Sequence, residues 1–262
     1  MNFIEIEEVS LDQSYHMSQP HSHEHYELYF LLDGKRDFFI ENKMFIVDKN
    51  TLVIIPPFCM HKTEGGPYKR ININVSPSHL TEAQSEFLQK SSKKIAFRLT
   101  PQYRNLITTL LEEGAKFPVN SKLKNESLIA IVQTVIALLS LQPSVPLDVA
   151  SSVYRPTVSP DVLKIIYYVN KHYNKPITLK SLCNQFFISK VSLCKKFKDV
   201  MHCSIMDYVL NLRLNNAKAL LRETDKSIEE ISNLCGFSSA NYFGLVFKKA
   251  IGLSPLNYKK TR

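Results

Sequence analysis

The chain has 262 residues, a formal net charge of +9 and five cysteines, and this length predicts about two domains, each able to bury its own core. An odd number of cysteines without paired short spacing argues against a disulfide scaffold or a zinc module and favours reduced thiols. The charge is uneven, because residues 160–262 hold 17 Lys and Arg against 7 Asp and Glu, whereas residues 1–159 hold 16 against 17. The positive charge predicts that residues 160–262 bind nucleic acid. The alternative is that the lysines only form a solvated surface.

The N-terminus and the apolar segments carry no sign of export. The first residues, MNFIEIEEVSLDQ, are acidic and have no basic flank before an apolar core, which is unlike a secretory signal. The longest apolar stretch, residues 127–141, is interrupted by Gln133 and Thr134 and is too short to cross a bilayer. We therefore expect a soluble, cytoplasmic protein with no membrane contact.

Strand patterns dominate the chain up to residue 76. Short runs rich in β-branched and aromatic residues end at turn residues such as Asp33-Gly34, and they cover residues 27–32, 35–41, 43–47, 51–55 and 70–75. Short strands at this spacing predict an all-β barrel or jelly roll.

Polar residues among these strands follow a known pattern. His21-x-His23-x3-Glu27-x6-Gly34 resembles the first motif of the cupin superfamily, and residues 56–61 resemble the second motif, whose histidine is His61. Many cupins bind ligands or metals inside a β-barrel. The resemblance therefore implies a cupin-like N-terminal domain with a site in its barrel.

The four motif residues define the predicted site. They line an effector pocket without metal, or they hold a divalent ion such as zinc, nickel, manganese or iron; the set is His21, His23, Glu27 and His61. In the second motif, Asn50 and Phe58 replace the usual glycines. His25 is left out of the set because an extended chain would turn its ring to the face opposite His23.

Two helices and a linker follow the strands. Residues 101–116 and 122–141 are helical by period, with apolar stripes at Leu106, Leu110, Leu128, Val132, Val135, Leu138 and Leu139. Residues 142–160 hold four prolines, four serines and two charged residues, which is typical of a linker. Pro160 and Asp161 then suit the first turn of a helix. The predicted organisation is a cupin-like domain over residues 1–141, a linker over 142–159 and a second domain over 160–262.

The second domain contains two similar helix pairs joined by one helix. Residues 178–201 form a capped helix, a turn at residues 186–188 and a helix capped by Ser189 that buries Leu193 and Phe197. Residues 204–222 form the joining helix, with Ile205, Tyr208, Leu212 and Leu221 at core spacing. Nineteen residues span roughly 28 Å at 1.5 Å each, close to the ~34 Å between successive major-groove faces.

The second pair, residues 227–258, has a more specific signature. Ser227 and Glu230 form a capping box, Ile228, Ile231 and Leu234 share one helix face, and Gly236 turns the corner. Ser238 or Ser239 caps the next helix, which buries Phe243 and Phe247. The run from Ile228 to Tyr258, I-x-x-I-x-x-x-x-G-F-x-x-x-x-Y-F-x-x-x-F-K-K-x-x-G-x-S-P-x-x-Y, closely resembles the signature of the AraC/XylS family of bacterial transcription regulators.

This resemblance implies the fold and the function. The expected fold is α+β with two domains, a cupin-like barrel followed by helices and an all-α domain with two helix-turn-helix units. The expected partners are double-stranded DNA, a small-molecule effector such as a sugar and a second copy of the chain, with residues 101–141 packed between subunits; the alternative is that these helices only cover the barrel. The positions expected to face DNA are Ser189, Lys190, Val191, Cys194, Lys195, Arg213, Ser239, Asn241, Tyr242 and Lys248.

Two other functions fit parts of the sequence. A metal-dependent cupin enzyme fused to a DNA-binding domain would use the histidines and Glu27 to hold a catalytic metal. An architectural DNA protein would need no effector, and the cupin-like half argues against it. We therefore expect an AraC-type regulator that is not an enzyme.

Overall fold

The computed structural model describes residues 3–41, 43–92, 96–116, 124–141, 145–146 and 160–261. The chain forms two compact units, one made of Met1–Met17 and His23–Tyr154 and the other of Ser18–Ser22 and Arg155–Arg262. The predicted linker lies outside the described residues except for positions 145 and 146. The domain limits 1–141 and 160–262 stay a prediction.

The first unit is an antiparallel sheet with helices. Its described strands are β1 (Ile4–Leu11), β2 (Tyr15–His16), β3 (Tyr26–Ile40), β4 (Lys43–Asp48), β5 (Thr51–Ile55), β6 (His61–Val75), β7 (Ala96–Arg98) and β8 (Val145–Pro146), and its helices are α1 (Glu82–Ser92), α2 (Pro101–Ala115) and α3 (Lys124–Leu141). The strand order is β1-β6-β3-β5-β7-β8, with β2 paired to β6 and β4 paired to β3.

The long strand β3 merges two strands that the sequence pattern separates. The predicted turn at Asp33-Gly34 is wrong, because β3 continues through it as a bulge, with register shifts against β6 between Leu31 and Asp33 and between Gly34 and Arg36. Gly34 has φ of +90°, and a Cβ there would lie 2.3 Å from the carbonyl oxygen of Pro67. A glycine bulge bends a strand without ending it.

Alternation along the bent strands produces two apolar faces. The inner face joins both halves of β3 to β4, β5 and β6, through Tyr29, Leu31, Phe38, Ile40, Phe45, Val47, Val53, Ile55, Cys59, Tyr68 and Ala96. The outer face contributes Ile6, Leu28, Phe30, Leu52, Ile54, Ile71, Ile73 and Val75 to a core shared with α1, α2 and α3. Because the rings of Tyr29 and Phe38 meet at 4.9 Å, the sheet folds over itself.

The helices after the sheet cover its outer face. Leu128, Val132, Val135 and Leu139 are buried as predicted, but Leu106 is 49% exposed and Ile107 is buried in its place. The predicted stripe on α2 is therefore wrong by one position.

Helix α3 is long and apolar enough to cross a membrane, contrary to the prediction that residues 127–141 are too short. Its 18 residues have a mean hydropathy of 1.3, which is sufficient by length and composition alone. Five of its side chains, however, belong to the core beneath the sheet. We interpret α3 as a core helix.

The second unit is helical. Its described helices are α4 (Pro160–His172), α5 (Leu179–Phe186), α6 (Lys190–Met201), α7 (Ile205–Glu223), α8 (Ile228–Leu234), α9 (Ala240–Ile251) and α10 (Pro255–Lys259). The predicted N-caps at Thr178, Ser189, Ser227 and Ser239 are confirmed, each accepting a hydrogen bond from the backbone N–H three residues on. The structure adds a cap of the same kind at Ser204, at the start of α7. Helices α5–α6 and α8–α9 are the two helix-turn-helix pairs, and α7 joins them.

The corners of the two pairs differ. Gly236 adopts φ of +78° at the second corner, where glycine is favoured, whereas Phe187 adopts φ of +51° at the first and is 97% exposed. Leu234 was predicted to point inward with Ile228 and Ile231, but it is 46% exposed. Only Ile231 is fully buried on that face.

Candidate functional site

A buried carboxylate and two imidazoles meet on the inner face of the sheet. Oε2 of Glu27 lies 3.0 Å from Nε2 of His23 and 3.2 Å from Nε2 of His61. Burial alone would raise the pKa of Glu27, but the hydrogen bonds with His23 and His61 outweigh it and hold that pKa well below its usual range. Glu27 is therefore ionised.

Both histidine rings are oriented by backbone carbonyls. Nδ1 of His23 lies 2.8 Å from the carbonyl oxygen of His25, and Nδ1 of His61 lies 3.0 Å from that of Cys59. A carbonyl only accepts, so both Nδ1 atoms donate, and in a neutral ring Nε2 would be a bare acceptor facing the Glu27 oxygen. A cation bound between these atoms would satisfy both ring nitrogens and the carboxylate.

The donor set fits a divalent metal. Two imidazole nitrogens and a carboxylate oxygen suit zinc, iron or manganese, and the Nδ1 bonds to carbonyls are the supporting contacts typical of metal-binding histidines. His23, His61 and Glu27 would be the ligands from the first unit.

Three further polar residues lie around Glu27, and none of them was among the predicted site residues. Nδ2 of Asn72 donates to Oε1 of Glu27 at 2.7 Å, and Nη1 of Arg70 lies 3.7 Å from the same oxygen. The guanidinium carbon of Arg70 lies 5.0 Å from the centre of the Tyr29 ring. Alternating polar residues in 70–75 were the available signal, but alternation alone does not show which face is buried.

Three polar atoms of this group have no hydrogen-bond partner among the described residues. They are Oη of Tyr29, Oδ1 of Asn72 and Nε of Arg70, all buried. Burial raises the pKa of Tyr29, so its phenol stays protonated and able to donate. Neighbouring donors and an acceptor that lack partners are suited to a ligand hydroxyl or carboxyl group.

His21 and His25 lie close to His23 in the sequence. The rings of His23 and His25 stack at 3.9 Å and 4°, so the expectation that they point to opposite faces is wrong; the chain is not extended there. Burial, with the neighbouring His23, lowers the pKa of His25 to about 4. His21 is exposed and lies in Ser18–Ser22, which groups with the second unit. Within the first unit, the predicted residues that meet are His23, Glu27 and His61.

In the second unit, α6 presents a mixed basic and apolar face. Lys190, Val191 and Lys195 are exposed, Val191 to 78%, and Cys194 is half-buried. Lys190 and Cys194 are four residues apart, as are Val191 and Lys195, so each pair is adjacent on the helix surface. Lysine donates to guanine and valine can contact a thymine methyl, so this face can read a major groove. Ser189 starts the helix as its N-cap.

Helix α9 presents a less charged face. Asn241 and Tyr242 are exposed beside the N-cap Ser239, and Lys248 is exposed in the last turn. Leu245, 72% exposed, occupies the position in α9 that Lys195 occupies in α6 when the two N-caps are aligned. At the positions of Lys190 and Lys195 the second helix therefore carries Ala240 and Leu245, and its exposed polar side chains include Asn241 and Tyr242.

Arg213, predicted to face DNA, is bonded within the protein. Its Nε donates to the carbonyl oxygen of Tyr173 at 2.8 Å, and its Nη2 donates to that of Lys175 at 2.9 Å. Two nitrogens of the guanidinium, Nε and Nη2, therefore donate to backbone carbonyls of the protein itself.

An antiparallel sheet with a buried polar cluster and a unit with two helix-turn-helix pairs define a ligand-binding regulator of the AraC type. The profile of the AraC-like ligand binding domain matches residues 4–155, more than half of the chain, and that of a helix-turn-helix domain matches residues 182–261. The chain belongs to the AraC/XylS family of transcription regulators. The predicted family, fold class and general function are confirmed.

Relatives and solved structures match different parts of the chain. The probable transcriptional regulator LumQ of Photobacterium leiognathi is 24% identical over 239 residues, 91% of either protein. The xylose operon regulatory protein of Escherichia coli K12 is 35% identical over 109 residues, 42% of this chain and 28% of that protein. The C-terminal domain of AraT, a response regulator from Geobacillus stearothermophilus, is 33% identical and covers 40% of this chain and 88% of its own, with a TM-score of 0.39.

Proposed function

We propose that the protein is a sequence-specific transcription regulator whose DNA binding responds to a small polar effector, such as a sugar, and that it is not an enzyme. The observation that supports the effector site is the group of Glu27, Arg70, Asn72 and Tyr29 on a largely apolar inner face. Burying charged and polar groups is costly unless they are paired. A ligand with hydroxyl groups would supply the missing partners of Tyr29, Asn72 and Arg70.

The histidines give this site a second function to consider. If a divalent metal binds to His23, His61 and Glu27, it would act as a Lewis acid toward an effector oxygen. The same three ligands would leave coordination positions open, which favours a metal-dependent cupin enzyme as the second candidate function. Elemental analysis of protein purified without chelator separates these cases: a stoichiometric metal that is lost in His23→Ala and His61→Ala supports metal binding, and turnover of a small molecule supports the enzyme.

We further propose that the protein acts in the cytoplasm as a homodimer. Helices α2 and α3 would form the contact between the two subunits. Support comes from two large apolar side chains exposed on these helices, Leu106 at 49% and Leu141 at 71%. Light scattering of the wild type and of Leu106→Lys would test this, and a monomeric wild type would contradict it.

Selection from a random DNA pool tests the regulator directly. Full-length protein is used with and without a panel of sugars and metabolites, and the recovered DNA is sequenced. We expect one enriched motif whose recovery changes with one class of effector. The same selection with Glu27→Gln should recover the motif without the effector response.

A further inference from the structure

Arg213 connects the helix that joins the two helix-turn-helix pairs to the loop that leads into the first pair. It lies on α7, and its two acceptors, the carbonyls of Tyr173 and Lys175, lie between α4 and α5. The guanidinium therefore bonds the backbone on both sides of Asn174. Partial burial lowers the pKa of Arg213 below its ordinary value, but an arginine remains charged at neutral pH, so both hydrogen bonds are charge-assisted.

The same loop lies against the corner of the second pair. A Cβ at Gly236 would lie 2.5 Å from the carbonyl oxygen of Asn174 and 2.7 Å from its Cα. The backbone of Asn174 thus packs directly on the turn between α8 and α9. Burial, with a smaller contribution from Cys235, raises the pKa of Tyr173.

These contacts form a second connection between the two pairs. If α7 were their only connection, each helix pair could rotate or bend relative to α7 at the point where it joins this helix. We propose that Arg213, together with the contact between Asn174 and Gly236, is a clamp that fixes α6 relative to α9 and thereby sets the base-pair spacing between the two DNA segments that the protein reads. Arg213 is a positioning residue in this role rather than a DNA contact.

The expected effect on DNA follows from the geometry of the double helix. Each added base pair moves one reading site by about 3.4 Å and turns it by about 35° around the axis, since a turn takes about 10 to 10.5 base pairs. A clamped pair of helices cannot follow this change and loses one set of contacts. A pair connected only through α7 can follow it in part.

A phosphate contact by Arg213 would leave a different signature. Losing one such contact weakens binding about equally at every spacing and makes the salt dependence shallower by about 0.9 in the log-log slope. Losing the clamp changes the preferred number of base pairs between the two DNA segments, but it does not change the log-log slope of affinity against salt concentration. The two roles are therefore separable in one set of titrations.

The test uses the full-length chain and the DNA motif recovered by selection, with one base pair inserted or deleted between its two read segments. In the wild type, either change should weaken binding roughly tenfold or more, as expected for lost base contacts. In Arg213→Ala the loss should shrink to about threefold or less, with an unchanged salt slope. Arg213→Lys keeps the charge but can reach one carbonyl, so its loss should be intermediate.

Arg222→Ala is the matched control on the same helix. Its guanidinium donates to the carbonyl oxygen of Thr261 at 2.6 Å and lies 4.6 Å from the centre of the Tyr258 ring, both near the C-terminus of the second pair. This variant should keep the wild-type spacing preference. Circular dichroism checks that each variant is folded. If Arg213→Ala does not fold, the spacing preference is measured with Arg213→Lys instead.

Two results would overturn the clamp. One is uniform weakening at all spacings with a shallower salt slope, which would make Arg213 a phosphate contact. The other is a wild-type spacing preference in both Arg213 variants. A chain that selects no DNA motif at all would instead contradict the regulator function, which the clamp presupposes.

Discussion

Glu27 and His61 meet at 3.2 Å although they stand at opposite ends of the β3–β6 ribbon. Glu27 pairs with Asn74 near the end of β6, whereas His61, the first residue of β6, pairs with Ile40 at the end of β3. Their contact is possible because the bulges around Gly34 let the ribbon fold back on itself. The polar cluster therefore both forms the candidate site and joins the two ends of the sheet.

Replacing Glu27 by glutamine should weaken the fold and the effector response together. The change leaves two imidazoles without their buried anion, which we expect to lower the free energy of unfolding by roughly 3 kcal/mol. Urea denaturation of the full-length chain measures this. Glu86→Gln, at an exposed position on α1, is the control and should match the wild type; equal stability of the two variants would contradict the role given to Glu27.

Three glycines of the second unit should respond to alanine in a fixed order. Gly236 has positive φ and no room for a Cβ, so Gly236→Ala should cost roughly 2 to 4 kcal/mol. Gly252 has positive φ but open space, which should limit the cost to about 1 kcal/mol. Gly244 is helical with open space, and alanine should stabilise the protein by about 0.5 to 1 kcal/mol. Thermal unfolding gives the order, and a neutral Gly236→Ala would show that the Asn174 contact is loose.

The capping box of α8 should make stability depend on pH. Oε2 of Glu230 accepts from the N–H of Ser227 at 2.7 Å, and this bond lowers the pKa of Glu230. A carboxyl whose folded pKa lies below its unfolded pKa stabilises the fold above the unfolded pKa and loses that contribution as pH falls through the folded one. Glu230→Gln should thus flatten the pH dependence of unfolding below about pH 4.5, and an unchanged pH dependence would contradict this role of Glu230.

The cap itself has a separate test. Ser227→Ala removes the hydroxyl that accepts from the N–H of Glu230 at 3.1 Å, and loss of an N-cap typically costs about 1 kcal/mol. Chemical denaturation at pH 7 measures the change. Unchanged stability would mean that water replaces the cap at no cost.

Lysines on the two recognition helices should play different roles. Lys195→Ala should cost about 1 to 3 kcal/mol and relax the preferred sequence at one position, because Lys195 lies on the exposed face of α6 where a base edge can be reached. Lys248→Ala, at the end of α9, should weaken all sequences about equally. Both variants are profiled against one randomised site. The opposite pattern would show that the helices are placed wrongly on DNA.

Local chemistry explains which parts of the fold the sequence predicts. The caps at Ser189, Ser227 and Ser239 and the corner at Gly236 depend on residues within a few positions of one another, and the structure confirms them. Gly34 was misread because a glycine in a bulge and a glycine in a hairpin turn look alike in sequence. The pairing of Ile4 with Val75 joins distant segments and leaves no local pattern.

The candidate site divides in the same way. Motif spacing identifies His23, Glu27 and His61, which the structure brings together. Arg70 and Asn72 were not predicted as site residues. Alternation in a strand assigns polar residues to one face, but it does not tell whether a second layer of the protein covers that face. Arg213 was expected to face DNA from the family resemblance, and its bonds to Tyr173 and Lys175 depend on tertiary contacts between α7 and the α4–α5 loop.

In the proposed function, a polar effector bound near Glu27 controls DNA binding by the helix-turn-helix unit. The most direct measurement is an equilibrium titration of the selected DNA with full-length protein, in the presence and absence of the active compound, for the wild type and Glu27→Gln. We predict that the compound changes the DNA affinity of the wild type at least severalfold and leaves that of Glu27→Gln unchanged. An affinity that does not respond to any compound of the panel, or that responds equally in both proteins, would contradict this account.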